Sequence, residues 1–174
     1  EGAVTVDGVT HELPKPFIVI ATQNPIGSVG TQKLPESQLD RFLMRLSLGY
    51  PSRHAEKILL QQNTRQSLIS TLTHIFSEQD VLEIQQLCQS VAVGDLVLDY
   101  ILDLANETRK GRHGLSTRGV LALKKAAQSH AFIEKRSFVT VDDVQAVFVA
   151  VSAHRIGLGE TETLHLMQRV DVQG

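Results

Sequence analysis

Phe17-Ile18-Val19-Ile20-Ala21-Thr22-Gln23-Asn24-Pro25 is the stretch on which the reading of this chain turns. Its apolar, β-branched run, entered from Pro16, suits a strand buried on both faces, as in a parallel sheet covered by helices. A polar residue directly after such a strand lies at the carboxyl edge of the sheet, where α/β proteins gather their ligands. Asn24 stands there. Its amide offers both a donor and an acceptor, enough to hold a water and a phosphate oxygen together. Taken alone, it is more simply an asparagine that turns the chain before Pro25; the surrounding residues reverse that preference.

Downstream, Leu34-Pro35-Glu36-Ser37-Gln38-Leu39-Asp40-Arg41-Phe42 reads as a short helix. Leu39, Phe42 and Leu43 would pin it and fix the direction in which Arg41 projects. A guanidinium so held can neutralise charge on a transferring phosphoryl group. In isolation an Asp-Arg pair is more often a surface ion pair. Leu43 to Leu48 follows as a second strand, and upstream Val4 to Thr10 reads as two β runs around an Asp7-Gly8 turn. Strand, loop, helix, strand is the grammar of an α/β fold. Such a sheet needs more strands than these residues provide, and Glu1-Gly2-Ala3-Val4 has no initiator Met, so the expectation is a piece of a longer protein.

All 5 prolines lie at or before Pro51. Because proline punctuates loops and interrupts helices, a boundary is expected there, with residues 1–51 forming part of an α/β core and residues 52–174 an all-α domain. Ser52 can cap a helix through Gln62, and Ser77 one whose stripe is Val81, Ile84, Leu87, Cys88 and Val91. A third helix, from Gly94 to Arg109, carries Leu96, Tyr100, Ile101 and Leu104. Ser116 caps a fourth with Val120, Leu123, Ala127 and His130. Thr140, with Asp143 three residues on, gives a variant capping box ahead of Val144, Val147 and Val151. These stripes read as bundle core, and the chain as mainly helical.

Composition narrows the function. The formal net charge is −2, which gives no global pull toward nucleic acid or anionic lipid. No apolar run reaches membrane-spanning length, and no signal peptide opens the chain. The single cysteine, Cys88, excludes an internal disulfide and reads as a small core residue in a reducing, cytoplasmic setting. The 7 histidines show no zinc-type spacing, so no metal site is expected from them. The basic cluster Arg109-Lys110-Gly111-Arg112-His113 most simply ends a helix. Lys124, Lys125, Lys135 and Arg136 read as a solvated face, without the aromatic residues a single-strand platform needs.

The order of these blocks resembles the MoxR-type AAA+ ATPases. Phe17 to Pro25, Gly30-Thr31 and Leu34 to Phe42 carry the likeness most specifically. Gly49-Tyr50-Pro51, Gly114-Leu115-Ser116-Thr117-Arg118, Phe138 to Val144 and His154-Arg155 extend it over about residues 1–156. The resemblance implies an α/β fragment followed by a helical lid, within a parent that hydrolyses ATP with Mg²⁺ between subunits of a ring, by family habit a hexamer. It implies that Asn24 is the sensor-1 residue that helps place the attacking water. Arg41 would be the arginine finger that acts on the neighbouring subunit's ATP. Arg118 would be the sensor-2 arginine that links nucleotide to lid position. A basic residue on the first turn of a helix opposes the macrodipole, which fits a phosphate-seeking role. The implied clients are partner proteins, among them those with a von Willebrand factor A domain.

Thr117 stands where the family usually has proline at the first helical position, and Gly27-Ser28 replaces a more acidic loop. The chain has neither the Gly-x4-Gly-Lys-Ser/Thr cradle (Walker A) nor an apolar strand ending in Asp-Glu for Mg²⁺ (Walker B). By itself it is therefore expected to be inactive. Two other readings stand beside this one. The first is a non-enzymatic helical adaptor, which has no reason to place Asn24-Pro25 and Arg41 beside a buried strand. The second is a chelatase-like AAA+ subunit that would use similar motifs for metal insertion.

Overall fold

A computed structural model of the chain describes residues 2–23, 34–61 and 72–172. Among these, two strands pair as an antiparallel hairpin, β1 (Ala3–Val6) and β2 (Val9–Glu12), in the register Val6 to Val9. Asp7 and Gly8 both take positive φ, 51° and 79°, as the two-residue turn of a twisted hairpin demands. Every residue of both strands is exposed, so burial among the described residues does not stabilise this hairpin.

Phe17 to Gln23 makes no strand pairing among the described residues, and Phe17, Ile18, Val19 and Ile20 stay 52–86% exposed. The strand expected there needs neighbours to hydrogen-bond with, and no described residue supplies them. Two further expectations are corrected. The helix from Leu34 to Phe42 is one turn, α1 (Glu36–Leu39), continued by tight turns in which Arg41 N–H donates to Gln38 O and Phe42 N–H to Leu39 O. Leu43 to Leu48 is not a strand. Its backbone instead docks on a helix end, with Arg45 N–H donating to Ala150 O at 2.8 Å.

The helical part follows the apolar spacing closely. Ser52 caps α2 (Arg53–Gln61), and Ser77 caps α3 (Glu78–Ser90) in a reciprocal box with Asp80. Then come α4 (Asp95–Arg109), α5 (Thr117–Ile133), α6 (Val141–Ile156) and α7 (Glu160–Met167). α6 is the central element. Val144, Phe148 and Val151 are fully enclosed, against Leu104 of α4 and Leu123 and Ala127 of α5. Burial of each large side chain contributes about 2–3 kcal/mol. α5 and α6 pack over most of their length, and alanines at 122, 126, 127 and 131 allow that close approach.

Some stripe residues lie elsewhere than expected. Leu96 is 68% exposed, and Val97 takes its place in the core. Leu87 is 52% exposed and Cys88 only half-buried, because α3 covers one edge of the bundle and has no fully buried residue. α7 was not anticipated. Its signals were Gly157, left-handed at φ 69°, and Gly159, whose N–H donates to Glu162.

Asp143 is the main internal polar joint. Fully buried, it accepts from Arg136 through both carboxylate oxygens, from the Thr140 amide at 2.8 Å and from the Thr140 hydroxyl at 2.9 Å. His130 Nδ1 lies 2.7 Å away. Arg136 thus belongs to this joint rather than to a solvated basic face. Burial pushes the Asp143 carboxyl upward, but the bonds from Arg136, Thr140 and His130 outweigh it and hold it well below the usual carboxylate range.

A lowered carboxylate pKa contributes stability that is complete above the unfolded value of 3.8 and lost as pH falls below it. Urea unfolding of wild type against Asp143→Asn should therefore show about 2–3 kcal/mol of difference at pH 7. The difference should shrink below pH ~4. A difference unchanged at pH 3 would show that the charge is not what stabilises this joint.

Candidate functional site

The turn after α1 carries Asp40 and Arg41, and three side chains from two helices of the bundle converge on the Asp40 carboxylate. Ser116, the N-cap of α5, places its hydroxyl 3.0 Å from each carboxylate oxygen of Asp40 while accepting from the Gly119 amide at 3.1 Å. Arg155, from the last turn of α6, donates through Nε to Asp40 Oδ1 at 3.2 Å. Arg118, on the first turn of α5, brings Nη1 to 3.6 Å from Oδ2.

Arg155 reaches further along the turn. One Nη donates to Leu43 O at 3.0 Å and to Val151 O; the other donates to Phe42 O and to Asp40 O at 3.3 Å. Its side chain is 2% exposed. Burial lowers its pKa by more than Asp40 raises it, yet an arginine stays charged. Its fork of donors thus serves four backbone carbonyls as well as the Asp40 carboxylate. Gly119 makes room for it, since a Cβ there would sit 2.9 Å from Leu115 Cδ2 and 3.1 Å from Arg155 Cδ. His154 adds Nε2 at 3.2 Å from Phe42 O.

The three residues singled out from the sequence fare differently. Arg41 lies in the exposed turn beside Asp40. Arg118 occupies the first turn of α5, with its side chain 55% exposed and its contact to Asp40 longer than a charge-assisted hydrogen bond. The fold thus brings Arg118 to the residue adjoining Arg41. Asn24 lies outside the described residues.

The basic loop after α4 behaves as a helix end. Arg109 folds back to donate to Leu115 O at 3.1 Å, and Lys110 pairs with Glu107. Gly114 is required there, because a Cβ would lie 2.7 Å from Arg109 Cα. Arg112 and His113 line a cleft of about 340 Å³ with Ile156, Gly157 and Leu166. Among the described residues no three His, Cys, Asp or Glu side chains gather to hold a metal. Nor is any described helix long and apolar enough to cross a membrane.

Residues 1–44 match the model of the ATPase family associated with various cellular activities, and residues 105–170 match the AAA lid domain. YeaC of Bacillus subtilis, an uncharacterized protein, is 41% identical over 91% of this chain and 50% of its own length. Chaperone MoxR1 of Mycobacterium tuberculosis is 33% identical over 91% of this chain and 45% of its own. The crystal structure of a candidate ATPase from Cytophaga hutchinsonii superposes with a TM-score of 0.83 at 28% identity. It covers 98% of this chain and 58% of that one. The chain belongs to the MoxR-type AAA+ ATPases. It spans about half the length of the curated relatives it matches.

Within this AAA+ chain, sequence reasoning passed over Arg155 and Asp40 as chemistry. A signal was present. Val144, Val147 and Val151 are helix-spaced core positions, and the next position on that stripe is Arg155. An arginine on an apolar stripe needs a buried acceptor set, and Asp40 to Leu43 is that set.

The buried setting of His154 predicts a pH dependence for this joint. Burial, and then the charge of Arg155, lower its pKa from the ordinary 6.5, so the folded ring is held neutral. Such a histidine contributes stability that is complete above the unfolded value and is lost as pH falls through it. Unfolding free energy measured from pH 7 to pH 5 should decline, and His154→Gln should flatten the decline. An identical slope in both proteins would contradict the assignment.

Proposed function

We propose that this chain is the sensor-and-lid portion of a ring-forming ATPase that remodels partner proteins. In this reading residues 1–51 complete a nucleotide-binding core and residues 52–174 form its lid. Asn24 orients the water that attacks the γ-phosphate. Arg118 contacts the nucleotide and reports it to the lid, and Arg41 reaches the ATP held by the neighbouring subunit. The exposed apolar run at Phe17 to Ile20 would be covered by the remaining strands of the sheet.

The observation that carries the reading is the meeting of Arg118 with the Asp40-Arg41 turn. A half-exposed arginine at a helix N-terminus opposes the macrodipole, and its weak hold on Asp40 leaves it donors for phosphate oxygens. Arg118 would therefore reach its own subunit's nucleotide and Arg41 the neighbour's, with Mg²⁺ bound through residues beyond those described. ATP bound with Mg²⁺ supplies the transferable phosphoryl group. The chain's own residues supply positioned charge and a positioned water. Clients with a von Willebrand factor A domain, a hexameric ring and a cytoplasmic setting follow from the family and belong to the proposal.

Arg41→Ala in the full-length protein should lower steady-state ATP turnover by about 10³-fold or more while leaving nucleotide affinity near wild type. Asn24→Ala should slow hydrolysis and spare assembly. Unchanged turnover in the first variant would remove Arg41 from the reaction, and loss of folding in the second would make Asn24 a turn residue.

A further inference from the structure

Asp40 receives donors from two parts of the lid at once. Ser116 and Arg118 come from the start of α5, and Arg155 from the end of α6. The next residue is Arg41. Its backbone amide donates to Gln38 O, and the carbonyls on either side of it, those of Asp40 and Phe42, are both held by Arg155. The Arg41 backbone is therefore clamped at both ends by a side chain of the lid. Arg45 extends the clamp by donating its backbone N–H to Ala150 O, and His154 Nε2 lies against Phe42 O.

We propose that Asp40 and Arg155 are positioning residues that make the lid and the Arg41 turn one moving unit, so that a shift of the lid on nucleotide binding re-aims Arg41 toward the next subunit. The inference rests on the assignment of Arg41 and Arg118 above and adds the route between them. Three properties favour it. Arg155 is buried and uses backbone carbonyls, so it follows the turn whatever side chains the turn bears. Gly119 keeps α5 close enough for the guanidinium to pass. The Arg118 contact, at 3.6 Å, is the long one of the three on Asp40, so Arg118 can turn toward a phosphate while Ser116 and Arg155 keep hold.

The test uses the full-length protein. Asp40→Asn keeps the size and an acceptor oxygen but removes the charge. It should lower kcat about tenfold with KM for ATP within twofold of wild type, because substrate binding does not depend on the neighbour's Arg41. Arg155→Lys, which cannot span the same carbonyls, should do the same, and Ser116→Ala should do so about two- to threefold. In an Arg41→Lys background, where single-turnover hydrolysis remains measurable, Asp40→Asn should cost less than a further twofold, since it acts through Arg41. Full tenfold additivity there, or wild-type kcat in Asp40→Asn and Arg155→Lys, would overturn the proposal. If Asp40→Asn fails to assemble, Ser116→Ala and Arg155→Lys in the two backgrounds decide by the same criterion. Wild-type turnover in Arg41→Ala would instead strike the functional reading itself, so the two failures are separable.

Discussion

A single buried guanidinium organises the functional end of this molecule. Arg155 continues the apolar stripe of Val144, Val147, Phe148 and Val151 along its helix, and its side chain is almost wholly enclosed. An unpaired charge there would be very costly, so its position is stable only with the carboxylate and carbonyls of residues 40–43 against it. The constraint runs both ways. Residues 40–45 form neither helix nor strand, and their backbone groups are satisfied largely by α6. Remove the arginine and the turn loses its partners; remove the turn and the helix end cannot stay folded around a bare cation. Ser116 and His154 add contacts to the same turn, and Gly119 leaves the guanidinium its space.

Much of the helical part was legible in the sequence because its rules are local. Ser77, Ser116 and Thr140 sit at or next to the helix starts they predicted, and the stripes of Val144, Val147 and Val151 and of Leu123 and Ala127 are buried as their spacing requires. The hairpin was legible too, since Asp7-Gly8 specifies its own turn. Strands were not. Phe17 to Thr22 has strand composition, but a strand is defined by its neighbours, and none pairs with it among the described residues. Leu43 to Leu48 misled for a related reason. Its alternating apolar pattern fits a sheet, yet its backbone is captured by Ala150 and Arg155, residues more than a hundred positions away.

The site was half legible. Arg41 and Arg118 were singled out through the family likeness, since neither a lone arginine in a turn nor one at a helix start is informative by itself. Asp40 and Arg155 needed three dimensions, because their meaning lies in a contact across 115 positions of sequence. Asp40, which Arg118 also approaches, is thereby a common anchor for the lid and the turn that bears Arg41.

The central claim is that the nucleotide site is shared, with Asn24 serving its own subunit and Arg41 the next. Mixing tests it most directly. Arg41→Ala subunits retain a complete site but no finger to offer, while Asn24→Ala subunits retain the finger but a defective site. Each variant alone should be nearly inactive. Mixed at equal amounts and allowed to exchange into common rings, they should regain ATPase activity, because some interfaces then pair an intact site with an intact finger. Mixed rings no more active than the two separate variants would contradict the account.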